Sequence, residues 1–202
     1  AMGVTRGILV DLDNEAELAG LLGHELGHVN ARHAAQRQGQ AMVASVAATG
    51  INIIGSAAGF GGLTDIGTQL GASALLSGYS RDNEREADAL GQEYMVRAGY
   101  PASGMTRLHE LLVRQQKEQP GMLQTMFSTH PMSVERRDTA QQLASTQYAA
   151  SLKRDPGRQR FMDSTASLRR IKPTIEACQN GEVAMANKAY DKAEGQFRSA
   201  LQ

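Results

Sequence analysis

Apolar residues recur at helical spacing in the first part of the chain, which predicts a core-packed helix to about Gln38. Asn14 is the expected N-cap of this helix, and Glu17, three residues later, is the reciprocal partner of a capping box. The apolar positions that define the predicted core face are Leu18, Leu21, Leu22, Leu26 and Val29. The pattern therefore indicates a long, core-facing helix near the N-terminus.

Three further helices are predicted from hydrophobic periodicity and from the Gly and Pro residues that end it. The second helix is expected from about 82 to the Gly-Tyr-Pro stop at 99–101, and the third from about 103 to 117. Ser133 is expected to cap a fourth helix that ends at about 148. Only the short segment 4–12 has strand character. The predicted fold class is thus mainly α with a minimal β element.

The C-terminal part of the chain differs in character from the rest. Residues 153–172 carry seven basic and two acidic side chains, so 151–172 is predicted to be a solvated basic linker, with a docking surface as the alternative. Residues 173–202 resemble one truncated tetratricopeptide-like repeat, in which Tyr190 and Phe197 fill the seam between two helices; a simple two-helix cap is the alternative. Such a tail is expected to offer a surface to protein partners.

Composition and charge exclude some functions. The 202 residues carry 21 Lys and Arg against 21 Asp and Glu, so the formal net charge is zero. Net neutrality gives no electrostatic reason to expect nucleic acid as a partner. The only cysteine, Cys178, cannot form an internal disulfide, and its isolation is compatible with a reducing or an oxidising compartment.

The segment of about 40–79 is rich in glycine and nearly free of charge. Asp65 is its only charged residue, and nine of the 21 glycines lie between Gly39 and Ser80. A membrane-spanning helix needs about 20 strongly apolar residues, and this segment is interrupted by polar and small ones. We therefore predict a bent apolar hairpin, with peripheral membrane contact left open. No signal peptide is visible, and a native leader is expected to have been removed before the Ala-Met-Gly start.

The candidate chemistry lies inside the first predicted helix, where residues 24–28 read His-Glu-Leu-Gly-His. Four residues turn a helix by about 400°, so His24 and His28 leave the same face and can share one metal ion. Glu25 lies about 100° around the helix, where it can reach a metal-bound water. Two histidines and a carboxylate on an otherwise apolar helix would be costly without a partner. The motif therefore predicts a catalytic zinc site.

A catalytic zinc ion usually has three protein ligands, so a third ligand is needed. The metzincin pattern requires Gly at 31 and His at 34, but the chain has Ala31 and Ala34, which excludes that class. His33 is nine residues from His24 and would face the opposite side of a continuous helix. His33 is therefore predicted to be structural or exposed.

The remaining candidate ligand is in the second predicted helix. Glu84 and Asp88 form an i, i+4 pair, which suits one ligand and one carboxylate that orients a zinc-bound imidazole. Glu86 points elsewhere on this helix and is predicted to be exposed to solvent. His109 lies among leucines on the third helix and is predicted to be structural.

The sequence resembles a gluzincin metallopeptidase family that includes the HtpX, Oma-type and type I CAAX prenyl proteases, and its periplasmic BepA-like branch above all. Three segments in order carry the resemblance: HELGH at 24–28, YSRDNEREADALG at 79–91 and STHPMSVER at 128–136. The resemblance implies a zincin-like helical metallopeptidase domain, assigned to 1–150, with one Zn²⁺ per chain. It implies the zinc ligands His24, His28 and Glu84, the catalytic Glu25 and an Asp88 behind a histidine. It also implies that His130 and Arg136 lie near the metal.

The expected function is that of a zinc metalloendopeptidase acting on proteins or peptides. Zinc is expected to activate a water molecule, with Glu25 as the general base. His130 or Arg136 is expected to assist as negative charge develops, and His130 has the alternative role of filling the fourth metal position in the resting enzyme. The resemblance implies protein quality control in the bacterial periplasm, with membrane association left open. The alternative function is a chaperone-like binding module with a latent zinc site.

Overall fold

The computed structural model describes residues 2–43, 46, 78–118 and 130–201. This part of the chain contains no strand, so the prediction of a mainly α fold is confirmed. Residues 33–43 are helical as well. The other helices are α1 Arg6–Asp11, α2 Glu15–Asn30, α3 Arg81–Arg97, α4 Ser103–Glu118, α5 Val134–Ser145, the 3₁₀ helix Ala149–Lys153, α6 Arg158–Arg170, α7 Lys172–Ala186 and α8 Tyr190–Ala200.

The strand predicted for residues 4–12 is wrong, because this segment forms α1. Thr5 caps the helix, and its side-chain oxygen accepts a hydrogen bond from the backbone N–H of Ile8 at 3.5 Å. Ile8 and Leu12 lie one helical turn apart and are 3% and 0% exposed in the core. No strand in the described residues could pair with this segment, so a helix satisfies its backbone and buries its apolar side chains.

The first long helix begins as predicted and ends early. Asn14 Oδ1 accepts a hydrogen bond from the Glu17 backbone N–H at 3.0 Å, and Glu17 Oε2 accepts one from the Asp13 N–H at 2.7 Å. The helix ends at Asn30 rather than near Gln38, because Arg32 has a left-handed backbone with φ of 56°. The chain then changes direction before it becomes helical again.

The predicted core face of α2 is also partly wrong. Leu26 and Val29 are 47% and 68% exposed, whereas the buried residues of this helix are Ala16, Glu17, Gly20, Gly23, His24, Gly27 and His28. Side chains of leucine would hold a neighbouring helix at a distance, whereas glycines let its backbone come close. The buried face is therefore the one that carries the two histidines and the glycines.

Glycines bring the backbones of α2 and α3 into contact. A Cβ added at Gly23 would lie 2.6 Å from the carbonyl oxygen of Gly91, and one added at Gly27 would lie 2.7 Å from that of Ala87. A Cβ added at Gly91 would lie 2.6 Å from the backbone nitrogen of His24. There is no room for an added methyl group at this crossing on either helix. The close approach of the two backbones places the turns 24–28 and 84–88 side by side.

The hydrophobic core is built from residues of α1, α2, α3, α4, α5 and α6. The predicted bounds of α3, α4 and α5 are confirmed to within a few residues. Ser133 caps α5, because its Oγ accepts a hydrogen bond from the backbone N–H of Arg136 at 3.2 Å. The core consists of Ile8, Leu12, Ala16, Met95, Met105, Leu108, Leu111, Leu112, Ala140 and Phe161. This core packs around the N-terminal end of α2, at Ala16, while the turn with His24 and His28 contacts residues 130–136 instead.

The segment 151–172, predicted to be a linker, contains helix α6. Phe161 from this helix is 3% exposed and belongs to the core. Arg169 donates hydrogen bonds to the carbonyl oxygens of Val10, at 2.8 Å, and of Leu12. The basic residues of the segment thus include one that holds the end of α1, and the predicted domain boundaries stay predictions.

Helices α7 and α8 form a pair at the C-terminus. Ala184 and Ala193 are buried at their crossing, and the ring of Phe197 lies against Gly181, where an added Cβ would be 2.5 Å from Cε1. Tyr190 is 60% exposed and does not fill the seam, contrary to the prediction. That the pair is a tetratricopeptide-like repeat stays a prediction.

Most of the glycine-rich segment 40–79, with its predicted hairpin, lies outside the described residues. Among the helices that the structure does describe, none combines the length and the apolar character needed to span a membrane.

Candidate metal centre

His24 and His28 point from the buried face of α2 to one common position. They are 6% and 3% exposed, and their Nε2 atoms lie 3.1 Å apart. Two imidazole nitrogens at this distance can share one proton or one metal ion. The helical spacing of four residues thus has the geometric result that the sequence predicts.

Glu84 of α3 lies opposite this pair and is fully buried. Its Oε1 is 3.2 Å from His28 Nε2, and its Oε2 is 3.5 Å from His24 Nε2. Oε2 is also 2.7 Å from Arg136 Nη1, as an ion pair without hydrogen-bond alignment. The charge of this buried oxygen is therefore balanced by Arg136, and no described residue gives it an aligned hydrogen bond, which leaves it able to bind a cation as well.

His130 is the fourth member of the group. Its Nδ1 lies 3.3 Å from His24 Nε2 and 3.1 Å from Glu84 Oε1. One donor atom from each of the four residues, His24, His28, Glu84 and His130, lies within 4.8 Å of all the others.

The spacing of these atoms can be compared with that of zinc ligands. Bonds of about 2.0–2.1 Å in a tetrahedral site place neighbouring ligand atoms about 3.3–3.4 Å apart. Four of the contacts within the group are 3.1–3.3 Å long and come close to this value, and all of the ligand atoms lie within 4.8 Å of one another. Three imidazole nitrogens and one carboxylate oxygen are also the ligand types that zinc prefers. The residues present therefore fit a zinc ion.

Asp88, one turn after Glu84, supports His24 from behind. Its Oδ1 is 2.9 Å from His24 Nδ1, so the imidazole donates its Nδ1 hydrogen and leaves Nε2 with a free lone pair. Arg136 donates to both oxygens of Asp88, from Nε at 2.6 Å and from Nη2 at 2.7 Å. His109 Nε2 lies 3.2 Å from the same Oδ1. His109 thus contacts the carboxylate that orients His24.

The charges of the centre are set by burial and by these contacts. Burial raises the pKa of Glu84, but hydrogen bonds from His130 and His28 and the charge of Arg136 outweigh it and lower the pKa to about 2. Burial also opposes ionisation of Asp88, but Arg136 holds the pKa of its carboxyl well below its usual range. Burial lowers the pKa of His24. The centre therefore contains ionised carboxylates and a His24 that favours the neutral form, as metal binding requires.

Glu25 lies beside the centre rather than within it. Its side chain is 36% exposed, and its Oε1 is 3.8 Å from His130 Nε2, which is too long for a hydrogen bond. Glu25 lines a small cavity together with Leu21, His24, Leu108, His109, Leu112, His130, Met132 and Arg136. A carboxylate at the edge of such a cavity can exchange a proton with a small molecule bound there.

Sequence reasoning did not place two further side chains, His33 and Tyr79, at the centre. His33 is 1% exposed, and its Nδ1 lies 3.0 Å from His28 Nδ1. Tyr79, which the motif contains without an assigned role, stacks on His28 with 4.1 Å between ring centroids. The turn at 31–32 brings His33 to this position, and no local pattern in the sequence identifies that turn.

Comparison with known proteins gives a consistent result. The model of peptidase family M48 matches residues 1–144. Similar relatives include the metalloprotease YcaL of Escherichia coli, 31% identical over 63% of this chain and 49% of the relative. A putative beta-barrel assembly-enhancing protease of Vibrio cholerae is 30% identical over 93% of this chain and 44% of the relative. The beta-barrel assembly-enhancing protease of Yersinia pestis is 33% identical over 66% and 28%.

The chain spans half or less of the length of these relatives. No solved structure shows a significant match.

Proposed function

The chain belongs to peptidase family M48, and on that premise we propose that it is a zinc-dependent endopeptidase that hydrolyses peptide bonds in proteins. The observation that carries the proposal is the group of His24, His28, Glu84 and His130, whose ligand atoms all lie within 4.8 Å of one another and are of the types that zinc binds. Glu25 beside this group adds the base that hydrolysis needs. A purely structural zinc site does not need a general base beside it.

His24, His28 and Glu84 would hold one zinc ion per chain. When bound, the ion supplies Lewis acidity, which makes a water molecule more acidic and polarises the scissile carbonyl. Glu84 contributes one negative charge throughout the neutral pH range, since its pKa is lowered to about 2. His24 presents Nε2 because its Nδ1 hydrogen is directed to Asp88 at 2.9 Å.

Glu25 is the proposed general base. It follows His24 directly on α2, so its carboxylate lies at the edge of the cavity rather than among the ligand atoms. In this position Glu25 accepts a proton from the attacking water and later delivers it to the leaving amine. Its partial exposure keeps the carboxylate accessible to both molecules.

His130 is proposed to close the site in the resting enzyme. A catalytic zinc site needs an open fourth position, and His130 Nδ1 is at 3.1 Å from Glu84 Oε1, where a fourth ligand would be. Substrate would then have to displace His130. The alternative is that His130 donates a hydrogen bond to the developing oxyanion, as its Nε2 on the Glu25 side would allow.

Arg136 is proposed to act as a positioning residue. Its guanidinium is buried and is shared by Asp88, Glu84 and the carbonyl oxygen of Pro131, at 2.6–2.9 Å. These contacts support a role in holding the two carboxylates and the 130–131 backbone in place. They leave less support for a direct contact between Arg136 and substrate.

The proposed substrates are proteins of the bacterial envelope, encountered in the periplasm. Two of the relatives are named for beta-barrel assembly, and transmembrane β-barrels belong to bacterial outer membranes. Protein quality control during that assembly is the proposed biological role. A binding or chaperone-like activity is a second candidate, because α7, α8 and the residue after α8 expose the apolar side chains of Val183, Met185, Tyr190 and Leu201.

The test pairs metal analysis with the variant Glu25→Gln. We expect about one zinc per chain in both proteins, as one four-atom site predicts, and loss of hydrolysis of an unfolded protein substrate in the variant. Undiminished hydrolysis by Glu25→Gln, or wild-type protein without zinc affinity, would contradict the proposal. If Glu25→Gln still supports the cellular role of the protein, the binding function is favoured instead.

A further inference from the structure

We propose that His33 is a positioning residue that fixes the tautomer and orientation of His28, with Glu86 holding His33 in turn. The inference rests on the proposed metal site, in which His28 is a ligand. It concerns a pair of residues that lie outside the four-atom group itself.

The contacts form a continuous path from the centre to the surface. His28 Nδ1 is 3.0 Å from His33 Nδ1, and His33 Nε2 is 3.3 Å from Glu86 Oε2. The side chain of His33 is 0% exposed, whereas that of Glu86 is 58% exposed. Each nitrogen of the buried His33 imidazole therefore has one partner.

The directions of these hydrogen bonds follow from the chemistry of the imidazole ring. When two neutral rings meet through their Nδ1 atoms, one Nδ1 donates and the other accepts. His28 directs Nε2 to the centre, so metal binding requires its hydrogen on Nδ1, and His33 Nδ1 must accept. His33 then carries its hydrogen on Nε2 and donates it to the Glu86 carboxylate. With a metal ion bound, the path thus holds His28 in the tautomer whose Nε2 faces the ion.

The backbone supports the same conclusion. In a continuous helix, His33 would lie about 140° around from His28, since five residues turn the helix by about 500°. The left-handed residue Arg32, with φ of 56°, ends that geometry and returns His33 to the histidine cluster. A residue other than glycine adopts this conformation at a cost of about 1–2 kcal/mol. The fold therefore carries a local strain at the step that places His33.

The two metal-binding histidines have different support. His24 donates to a buried carboxylate, Asp88, that is itself held by Arg136. His28 donates to a neutral ring backed by an exposed carboxylate. His33 is the weaker acceptor of the two, so we expect its loss to lower zinc affinity less than the loss of Asp88 does.

The experiment compares substitutions that keep or remove the acceptor at the Nδ1 position of His33. In His33→Asn, the amide oxygen can replace Nδ1, whereas His33→Leu has no acceptor and His33→Gln extends its polar end towards the Nε2 position. The probes are Zn²⁺, with affinity measured by competition with a chelating dye, and Co²⁺, whose visible absorption reports ligand geometry. Gln92→Leu is the control, because Gln92 is 1% exposed and donates to two backbone carbonyls but is not in the four-atom group.

We expect zinc affinity to fall about 10- to 100-fold in His33→Leu, as is usual when the partner of a metal-binding histidine is lost. His33→Asn should restore most of the affinity and the wild-type Co²⁺ spectrum, and Gln92→Leu should lower the melting temperature of the metal-free protein but leave zinc affinity unchanged. If His33→Leu does not fold, a zinc affinity that is higher in His33→Asn than in His33→Gln supports the proposal.

Folded His33→Leu with wild-type zinc affinity would overturn the role of His33 and leave the proposed function intact. Equal affinities of the Asn and Gln variants would also contradict it. Wild-type protein that binds no zinc would overturn the proposed function, and this inference with it.

Discussion

The contact between α2 and α3 predicts a specific effect of Gly27→Ala. The added Cβ would lie 2.7 Å from the Ala87 carbonyl oxygen and 2.9 Å from Ala87 Cα. A carbon atom approaches a carbonyl oxygen to about 3.3 Å at closest, so the helices must separate by about 0.6 Å at this point. Ala87 lies between Glu84 and Asp88, so both carboxylates move with it.

A displacement of this size is large for a metal site. Ligand distances at such sites hold to within about 0.2 Å, and a shift of about 0.6 Å exceeds this tolerance threefold. We expect zinc affinity to fall at least 10-fold. Overpacking lowers the free energy of unfolding by about 1–3 kcal/mol, and the higher helix propensity of alanine offsets about 1 kcal/mol of this loss.

The assay combines zinc affinity, from chelator competition, with thermal unfolding of the metal-free protein. Gly195→Ala is the matched control, because Gly195 lies within helix α8 and an added Cβ there meets nothing within 4 Å. The control should leave zinc affinity unchanged and raise stability by about 0.5–1 kcal/mol. Wild-type affinity and stability in Gly27→Ala would refute the inference that backbone contact at this crossing sets the ligand geometry.

Three further predictions concern other residues. His130→Ala should raise hydrolysis of an unfolded protein if His130 closes the resting site; lowered hydrolysis would identify it as a catalytic helper. The pKa of Glu84 is lowered from 4.5 to about 2, so its ionised form stabilises the metal-free protein above about pH 4.5, and this stability is lost as the pH falls towards 2. By pH 3 the free energy of unfolding, measured with urea, should have fallen by about 2 kcal/mol. If the pH dependence of this free energy is the same in Glu84→Gln, Glu84 is not its source. Phe161→Ala should destabilise the protein by about 3–5 kcal/mol, since Phe161 is 3% exposed; a cost below about 1 kcal/mol would place α6 outside the cooperative core.

Local signals in the sequence predicted most of the helices. The Asn14 and Ser133 caps and the Gly-Tyr-Pro stop at 99–101 act within a few residues, and the structure confirms them. The strand predicted at 4–12 rested on residue propensity alone, and propensity is decided by what is available to pack against. The same is true of the leucine pattern in α2, because periodicity identifies a helix but does not say which face a neighbour covers.

The candidate site was predictable where its members share one helix. His24 and His28 are one turn apart on α2, and Glu84 and Asp88 are one turn apart on α3, so helical spacing places the members of each pair on one face. His33 could not be assigned in this way, because its position depends on a single left-handed residue, Arg32. His109 approaches Asp88 from α4, a contact that joins positions far apart in sequence.

The sequence by itself determined a mainly helical chain with two short motifs whose side chains suit metal binding, because both depend on interactions within one or two helical turns. Only the tertiary structure decided which faces of the helices meet. Glycines at the α2–α3 crossing bring side chains of the two motifs to within 2.9 Å of each other. The left-handed Arg32 directs His33 to the centre, and α5 carries Arg136 there. These placements depend on close packing between distant segments, and no pattern of residues along the chain records how closely two backbones can approach.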